Sequence, residues 1–120
     1  MARITVGERT FEASSDTRLV LAIKDSGIEI LHRCGGYAKC TTCRVEFVEG
    51  EPEKYTQAEK TRLQEDPNNL FGKVRLSCQI LCDHDMAVKP LMTMQNSDVD
   101  NPGRRPEDHI TPEPVEYVDP

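Results

Sequence analysis

The sequence predicts an α+β fold in which a β-sheet is covered by a helix. Short segments of alternating apolar and polar residues recur along the chain, and such alternation is typical of half-buried strands. Two stretches with helical spacing and helix-start signals lie among them. The resulting order, β-β-α-β-α-β with turns between the elements and one hairpin, is typical of an α+β protein.

The first part of the chain supplies the hairpin and the first helix. Residues 3–6 and 9–13 alternate, and Gly7 lies in the turn between them. Residues 14–17 are rich in helix N-cap types and precede an apolar pattern with helical spacing, which ends at Gly27. We therefore expect a helix that is capped within residues 14–17.

The second helix is predicted from about residue 57 to residue 65. Thr56 and Glu59, three residues apart, match a capping box, in which each side chain bonds the backbone N–H of the other residue. Further extended segments are predicted at residues 44–49, 74–78 and 86–89.

Length and charge divide the chain into a domain and a tail. The 120 residues have room for one compact domain. The net charge is −6, and residues 96–120 alone hold seven acids, two bases and five of the eight prolines. We therefore predict a domain over residues 1–91 and an acidic, proline-rich, weakly structured tail over residues 92–120.

Composition argues against several classes of protein. The start of the chain lacks the pattern of a signal peptide, and no apolar run approaches the roughly 20 residues that span a bilayer. The sequence has no basic patch with interleaved aromatic residues, so nucleic-acid binding is not expected. The expected location is the cytoplasm, where thiols stay reduced. The five cysteines are therefore expected to bind metal or do redox work rather than to form disulfides.

The cysteines are clustered. Cys34, Cys40 and Cys43 lie within ten residues and Cys78 follows, in the pattern C-x5-C-x2-C-x34-C. The plant-type spacing for a [2Fe–2S] cluster, C-x4-C-x2-C with a distant fourth cysteine, differs by one residue in the first gap. Gly35 and its neighbour Gly36 would let the backbone approach an inorganic core closely.

Two segments carry a family resemblance. Residues 32–45 (HRCGGYAKCTTCRV) and 75–79 (RLSCQ) resemble the cluster loop and the fourth-ligand segment of [2Fe–2S] ferredoxins. The resemblance covers roughly residues 2–91, and the longer first gap is closer to adrenodoxin-like and bacterial ferredoxins than to the photosynthetic type. It implies a β-grasp (ubiquitin-like) mixed sheet with a covering helix and a cluster-binding loop. The ligands that it implies are Cys34, Cys40, Cys43 and Cys78.

The resemblance also implies a function. Such a protein transfers single electrons between a ferredoxin reductase and an acceptor, and performs no substrate chemistry of its own. The acceptor could be a haem monooxygenase, a ring-hydroxylating oxygenase or a cluster-assembly protein. The second helix, however, lacks the dense acidic face with which adrenodoxin-like proteins dock. The acidic docking candidates are instead Glu46, Glu49, Glu51, Glu53, Asp83 and Asp85.

Two alternatives use the same cysteines differently. A zinc-ribbon binding module would use Cys40, Cys43, Cys78 and Cys82 and leave Cys34 spare. It does not account for the glycine pair or for the position of Cys34. A thioredoxin-like dithiol at Cys40 and Cys43 would require a helix that starts at the first cysteine. The alternating segment after Cys43 argues against that helix.

Overall fold

A computed structural model gives the architecture of the chain. It describes residues 2–32, 35–38, 41–67, 69–93, 103, 105–112 and 115–119. The strands are β1 (Ala2–Val6), β2 (Arg9–Ala13), β3 (Arg44–Glu49), β4 (Tyr55–Thr56), β5 (Arg75–Leu76), β6 (Met86–Pro90) and β7 (Tyr117–Val118). The helices are α1 (Leu19–Asp25) and α2 (Gln57–Glu65), and a short 3-10 helix covers Ser77–Gln79.

The main sheet is mixed and has the strand order β2-β1-β6-β3-β5. β1 and β6 are parallel, whereas the other neighbouring pairs are antiparallel. The hairpin of β1 and β2 runs in register from Ala2 opposite Ala13 to Val6 opposite Arg9. Its turn passes through Gly7, whose φ of 62° favours glycine. The predicted hairpin and α+β class are thus confirmed.

The core lies between the sheet and α1. Ile4 of β1, Val45 of β3 and Val88 of β6 are buried, as the alternation predicts. The five residues 19–23 of α1 are all buried as well. Burial of each such aliphatic side chain contributes roughly 1.5–3 kcal/mol. Because the core contains no tryptophan, it depends on this aliphatic packing.

The predicted N-cap of α1 is wrong. The cap residue is Arg18, which has extended backbone angles and makes no side-chain cap hydrogen bond. The physical reason is a backbone partner: Arg18 forms an antiparallel bridge with Leu81, and the N–H of Leu19 donates to the Ile80 carbonyl at 2.7 Å. One of the N–H groups that have no partner within the helix is therefore bonded to a neighbouring segment.

The predicted capping box of α2 is half formed. The Thr56 hydroxyl accepts from the N–H of Glu59 at 3.1 Å, so Thr56 is the cap that the sequence predicts. The Glu59 carboxylate, however, is fully buried and accepts from Nε and Nη2 of Arg75 at 2.9 and 3.0 Å. It also accepts from the N–H of Leu76 at 2.8 Å. Glu59 therefore connects α2 to β5.

The later part of the chain departs from the sequence pattern in two places. The strand predicted over residues 74–78 is only two residues long, and the chain then enters the 3-10 helix. The tail contains a strand that the sequence did not predict: β7 pairs antiparallel with β4, with Tyr55 opposite Val118. The domain boundary at residue 91 stays a prediction, although the described tail residues pack against the rest of the protein.

Within the described ranges, we find no helix of the length and hydrophobicity needed to cross a membrane.

Replacing the buried carboxylate tests its role in the fold. Glu59→Gln removes the buried negative charge that contacts the guanidinium of Arg75 and leaves the half-exposed Glu51 carboxylate, 3.4 Å from its Nη1. Breaking a buried ion pair in this way costs about 3–5 kcal/mol. Glu65→Gln, an exposed change on the same helix, is the matched control and is expected to be neutral. Urea unfolding of the two holoproteins, followed by circular dichroism, makes the comparison. Equal unfolding midpoints would contradict the assignment.

Candidate metal centre

The structure describes two of the four predicted cysteine ligands. Cys43 and Cys78 are both buried, with exposed fractions of 2% and 0%. Cys34 and Cys40 lie outside the described residues. The geometry of the site is therefore built from Cys43, Cys78 and the described parts of the loop.

Pairing of β3 with β5 brings the two described cysteines together. Arg44 lies opposite Leu76 in the antiparallel register, so the residues just outside the pair also meet. The carbonyl of Cys43 accepts from the N–H of Ser77 at 3.2 Å and from the Ser77 hydroxyl at 2.7 Å. Two thiols that are 35 residues apart in the sequence thus lie on adjoining segments of backbone.

The loop between α1 and β3 has an unusual backbone. Gly35 and Gly36 have φ of 72° and 90°, and the non-glycine residues Ala38 and Thr41 have φ of 58° and 56°. Left-handed angles at non-glycine residues are strained and persist only where the surroundings hold them. Arg44 holds Thr41, because its Nε donates to the Thr41 carbonyl at 2.9 Å and its Nη2 to the hydroxyl at 2.6 Å. The loop is therefore coiled and fixed at its β3 end.

Gly36 is required for space as well as for its backbone angle. A Cβ atom at this position would lie 2.7 Å from Nη2 of Arg18 and 2.8 Å from Cβ of Pro106. The sequence predicted only that the glycine pair lets the backbone approach a cluster. The structure adds that Arg18, the cap residue of α1, and Pro106 of the tail occupy the space next to Gly36.

Arg18 is a site residue that the sequence analysis missed. It is fully buried, and its Nε and Nη2 donate to the Cys78 carbonyl at 3.0 and 2.7 Å. Nη2 also donates to the Gly36 carbonyl at 2.7 Å. On its other side, Nη1 donates to the carbonyls of Glu107 at 2.9 Å and His109 at 3.0 Å. The only sequence signal was a charged residue at the start of an apolar helix.

Gln79 and Thr111 complete this network. The Thr111 hydroxyl donates to the Gly36 carbonyl at 3.0 Å, and Nε2 of Gln79 donates to the Thr111 carbonyl at 2.6 Å. The same Nε2 lies 3.5 Å from Sγ of Cys78 and donates to it. An N–H bond to a ligating sulfur stabilises its thiolate form and tunes the bound metal. The network therefore reaches a predicted ligand atom directly.

Cys82 lies in the hydrophobic core. Its side chain is fully buried, and burial, with the nearby Asp83 carboxylate adding to it, raises the pKa of the Cys82 thiol to about 12. The zinc-ribbon alternative, which needs Cys82, leaves the left-handed backbone of Gly35 and Gly36 unexplained.

The thioredoxin-like alternative fails on local structure. Cys43 leads directly into β3, whereas a reactive dithiol needs a helix that starts at its first cysteine.

The described residues fit an iron–sulfur cluster. Two buried thiols lie on adjoining backbone, and one sulfur accepts a side-chain N–H. The loop that carries the other predicted ligands coils through left-handed angles at four positions, so its backbone turns tightly. Buried cysteine thiolates are the donors that such clusters use.

The acidic docking candidates lie along β3 and in the loops beside it. β3 begins beside Cys43 and ends at Glu49, and at about 3.3 Å per residue its far end is roughly 17 Å from its start. There, Nε2 of His84 donates to the Gly50 carbonyl at 2.7 Å, which joins the loop after β3 to the loop before β6. The chain then returns towards β5, where the Glu51 carboxylate lies 3.4 Å from Nη1 of Arg75, and Glu46 lies in the middle of β3, opposite Lys89. The acids are therefore spread along the sheet rather than gathered at one end.

Comparison with known proteins agrees with this geometry. The model of the 2Fe-2S iron-sulfur cluster binding domain family matches residues 4–83. The 2Fe-2S ferredoxin-5 of Aquifex aeolicus is 35% identical over 71 residues, which cover 58% of this chain and 73% of that protein. A component of the Na(+)-translocating NADH-quinone reductase of Chlamydia felis is 36% identical over 77 residues, or 64% of this chain. The match spans only 17% of that larger protein.

A solved structure shows the same fold. The ISC-like [2Fe–2S] ferredoxin FdxB from Pseudomonas putida JCM 20004 superposes with a TM-score of 0.61 at 24% identity. The superposition covers 82% of this chain and all of that one. The predicted β-grasp fold and the resemblance to bacterial ferredoxins are confirmed. The chain belongs to the 2Fe-2S iron-sulfur cluster binding domain family, and its cofactor is a [2Fe–2S] cluster.

Proposed function

We propose that the protein carries single electrons on a [2Fe–2S] cluster held by Cys34, Cys40, Cys43 and Cys78. The observation that carries the proposal is the pair of hydrogen bonds from Ser77 to the Cys43 carbonyl. They place two buried predicted ligands side by side at the end of a coiled loop. Membership of the cluster-binding family supports the same assignment.

The residues around the cluster suit electron transfer rather than catalysis. The bound cluster accepts and releases one electron, and thiolate ligands favour the low part of its range of roughly −700 to +450 mV. Burial of Cys43 and Cys78 excludes water from the sulfurs. The N–H of Gln79 stabilises negative charge on the Cys78 sulfur. The proposed role therefore involves no substrate chemistry by the protein itself.

A carrier of this kind needs a donor and an acceptor. We propose a ferredoxin reductase as the donor and, as the acceptor, a haem monooxygenase, a ring-hydroxylating oxygenase or a cluster-assembly protein. The acids along β3 and in the loops beside it would steer a basic partner towards the protein. A cytoplasmic location stays a prediction.

Cysteine variants test the ligand set. Cys34→Ser is expected to lose or alter the visible absorption of the anaerobically purified protein, because it removes one of the four proposed thiolates. Cys82→Ser is the matched control and is expected to keep the spectrum, since Cys82 is not one of the four proposed ligands. Loss of colour in Cys82→Ser together with retention in Cys34→Ser would overturn the assignment.

The dependence of electron transfer on salt tests the steering role. With a purified ferredoxin reductase, the second-order rate is expected to fall roughly tenfold between low and high ionic strength. A double variant, Glu49→Lys with Glu53→Lys, is expected to remove most of that dependence. Glu12→Lys, an exposed change on β2, serves as the control for a single charge reversal elsewhere. Rates that do not vary with salt in the unmodified protein would refute acidic steering.

A further inference from the structure

The C-terminal segment crosses the molecule beside the cluster loop. We call its described residues 105–112 and 115–119 the strap. At one end, Arg105 forms two hydrogen bonds with Asp25 of α1, at 2.9 and 3.1 Å. At the other end, β7 pairs with β4, and the Gln57 N–H donates to the Glu116 carbonyl at 2.7 Å. The strap thus joins the end of α1 to the start of α2.

Between its two ends, the strap contacts the loop at Gly36. Pro106 occupies the space that a side chain at Gly36 would need, and the Thr111 hydroxyl bonds the Gly36 carbonyl at 3.0 Å. Pro106, Ile110 and Thr111 are buried, although this part of the sequence is polar and rich in proline. These contacts show that the strap packs against the rest of the protein at Gly36.

Arg18 connects the strap to the cluster site through hydrogen bonds. One side of its guanidinium binds the carbonyls of Gly36 and Cys78, and the other binds the carbonyls of Glu107 and His109. A planar guanidinium has five donors in a fixed fork, so it can serve two sets of carbonyls at once. Lysine keeps the charge but lacks this fork.

We propose that Arg18 and the strap form one positioning unit, which holds the cluster loop against the Cys78 segment and raises the midpoint potential of the cluster. The proposal depends on the presence of the cluster. It does not depend on which proteins exchange electrons with it.

The effect on the loop follows from backbone strain. The left-handed angles at Ala38 and Thr41 persist only while neighbouring groups hold the loop. Arg44 holds its β3 end, whereas Arg18 and Thr111 hold it at Gly36. Release of the strap would therefore open the loop at Gly36, and water and chelators would reach the sulfurs.

The effect on potential follows from charge. An all-cysteine [2Fe–2S] centre is anionic, and reduction adds one more negative charge to it. A guanidinium bonded to the carbonyl of Cys78 stabilises the reduced form more than the oxidised form. Removal of that positive charge therefore lowers the midpoint potential.

Three variants and one control test the proposal in the holoprotein. Arg18→Met removes the charge and the fork, Arg18→Lys keeps the charge, and Thr111→Val removes one strap contact while Arg18 remains. The control, Arg3→Met, also removes one positive charge, but from an exposed residue of β1 that lies outside the strap and the loop. The measurements are the rate of bleaching in excess EDTA, the midpoint potential by voltammetry and hydrogen exchange of the strap amides.

Arg18→Met is expected to bleach about tenfold faster than the unmodified protein, since buried carbonyls lose their donors. It should also have a lower midpoint potential and faster exchange of the strap amides. Arg18→Lys should have the midpoint potential of the unmodified protein but should still bleach faster than it. Thr111→Val should bleach faster with little change in potential, and Arg3→Met should match the unmodified protein in all three measurements.

The proposal is overturned if Arg18→Met and Arg3→Met give the same bleaching rate and the same potential. If Arg18→Met does not fold, Thr111→Val decides: unchanged bleaching and unchanged strap exchange overturn the proposal. Either negative result leaves a coloured, redox-active protein, so the proposed electron-carrier function survives. That function would fail separately if the unmodified protein held no reducible cluster.

Discussion

The site depends on the hydrogen bonds that the Cys43 carbonyl accepts from Ser77. They continue the pairing of β3 with β5, which involves only two residues of each strand. They extend that register to the segment that carries Cys78. A shift of one residue in the register would displace the 3-10 helix in which Cys78 lies. A short ladder thus determines whether the thiol of Cys78 lies beside Cys43.

Two buried arginines support that ladder from opposite sides. Arg75 joins β5 to α2 through the Glu59 carboxylate, and its guanidinium lies 3.8 Å from the centre of the Tyr55 ring. Arg18 joins the backbone of Cys78 to the loop and to the strap. Burying a charge is costly unless hydrogen bonds compensate for it. Both side chains meet that condition by donating to several acceptors around the site.

Much of the fold could be predicted because it follows from local patterns. The alternation of β1, β2, β3 and β6, the cap at Thr56 and the cysteine spacing are all visible within short windows of sequence. The missed features depend on partners that are distant in sequence. Backbone pairing with Leu81 takes the place of a side-chain cap at α1, and β7 forms by pairing with β4. Arg18 reads as an ordinary polar residue until the tail and the loop are in place.

The central claim is that the protein binds a [2Fe–2S] cluster which carries one electron. Its most direct test is a reductive titration of anaerobically purified protein, with iron and acid-labile sulfide assayed in the same sample. Equal amounts of iron and sulfide are expected, with visible absorption that bleaches on the uptake of one electron per pair of irons. A colourless protein that contains zinc, lacks sulfide and takes up no electrons would contradict it.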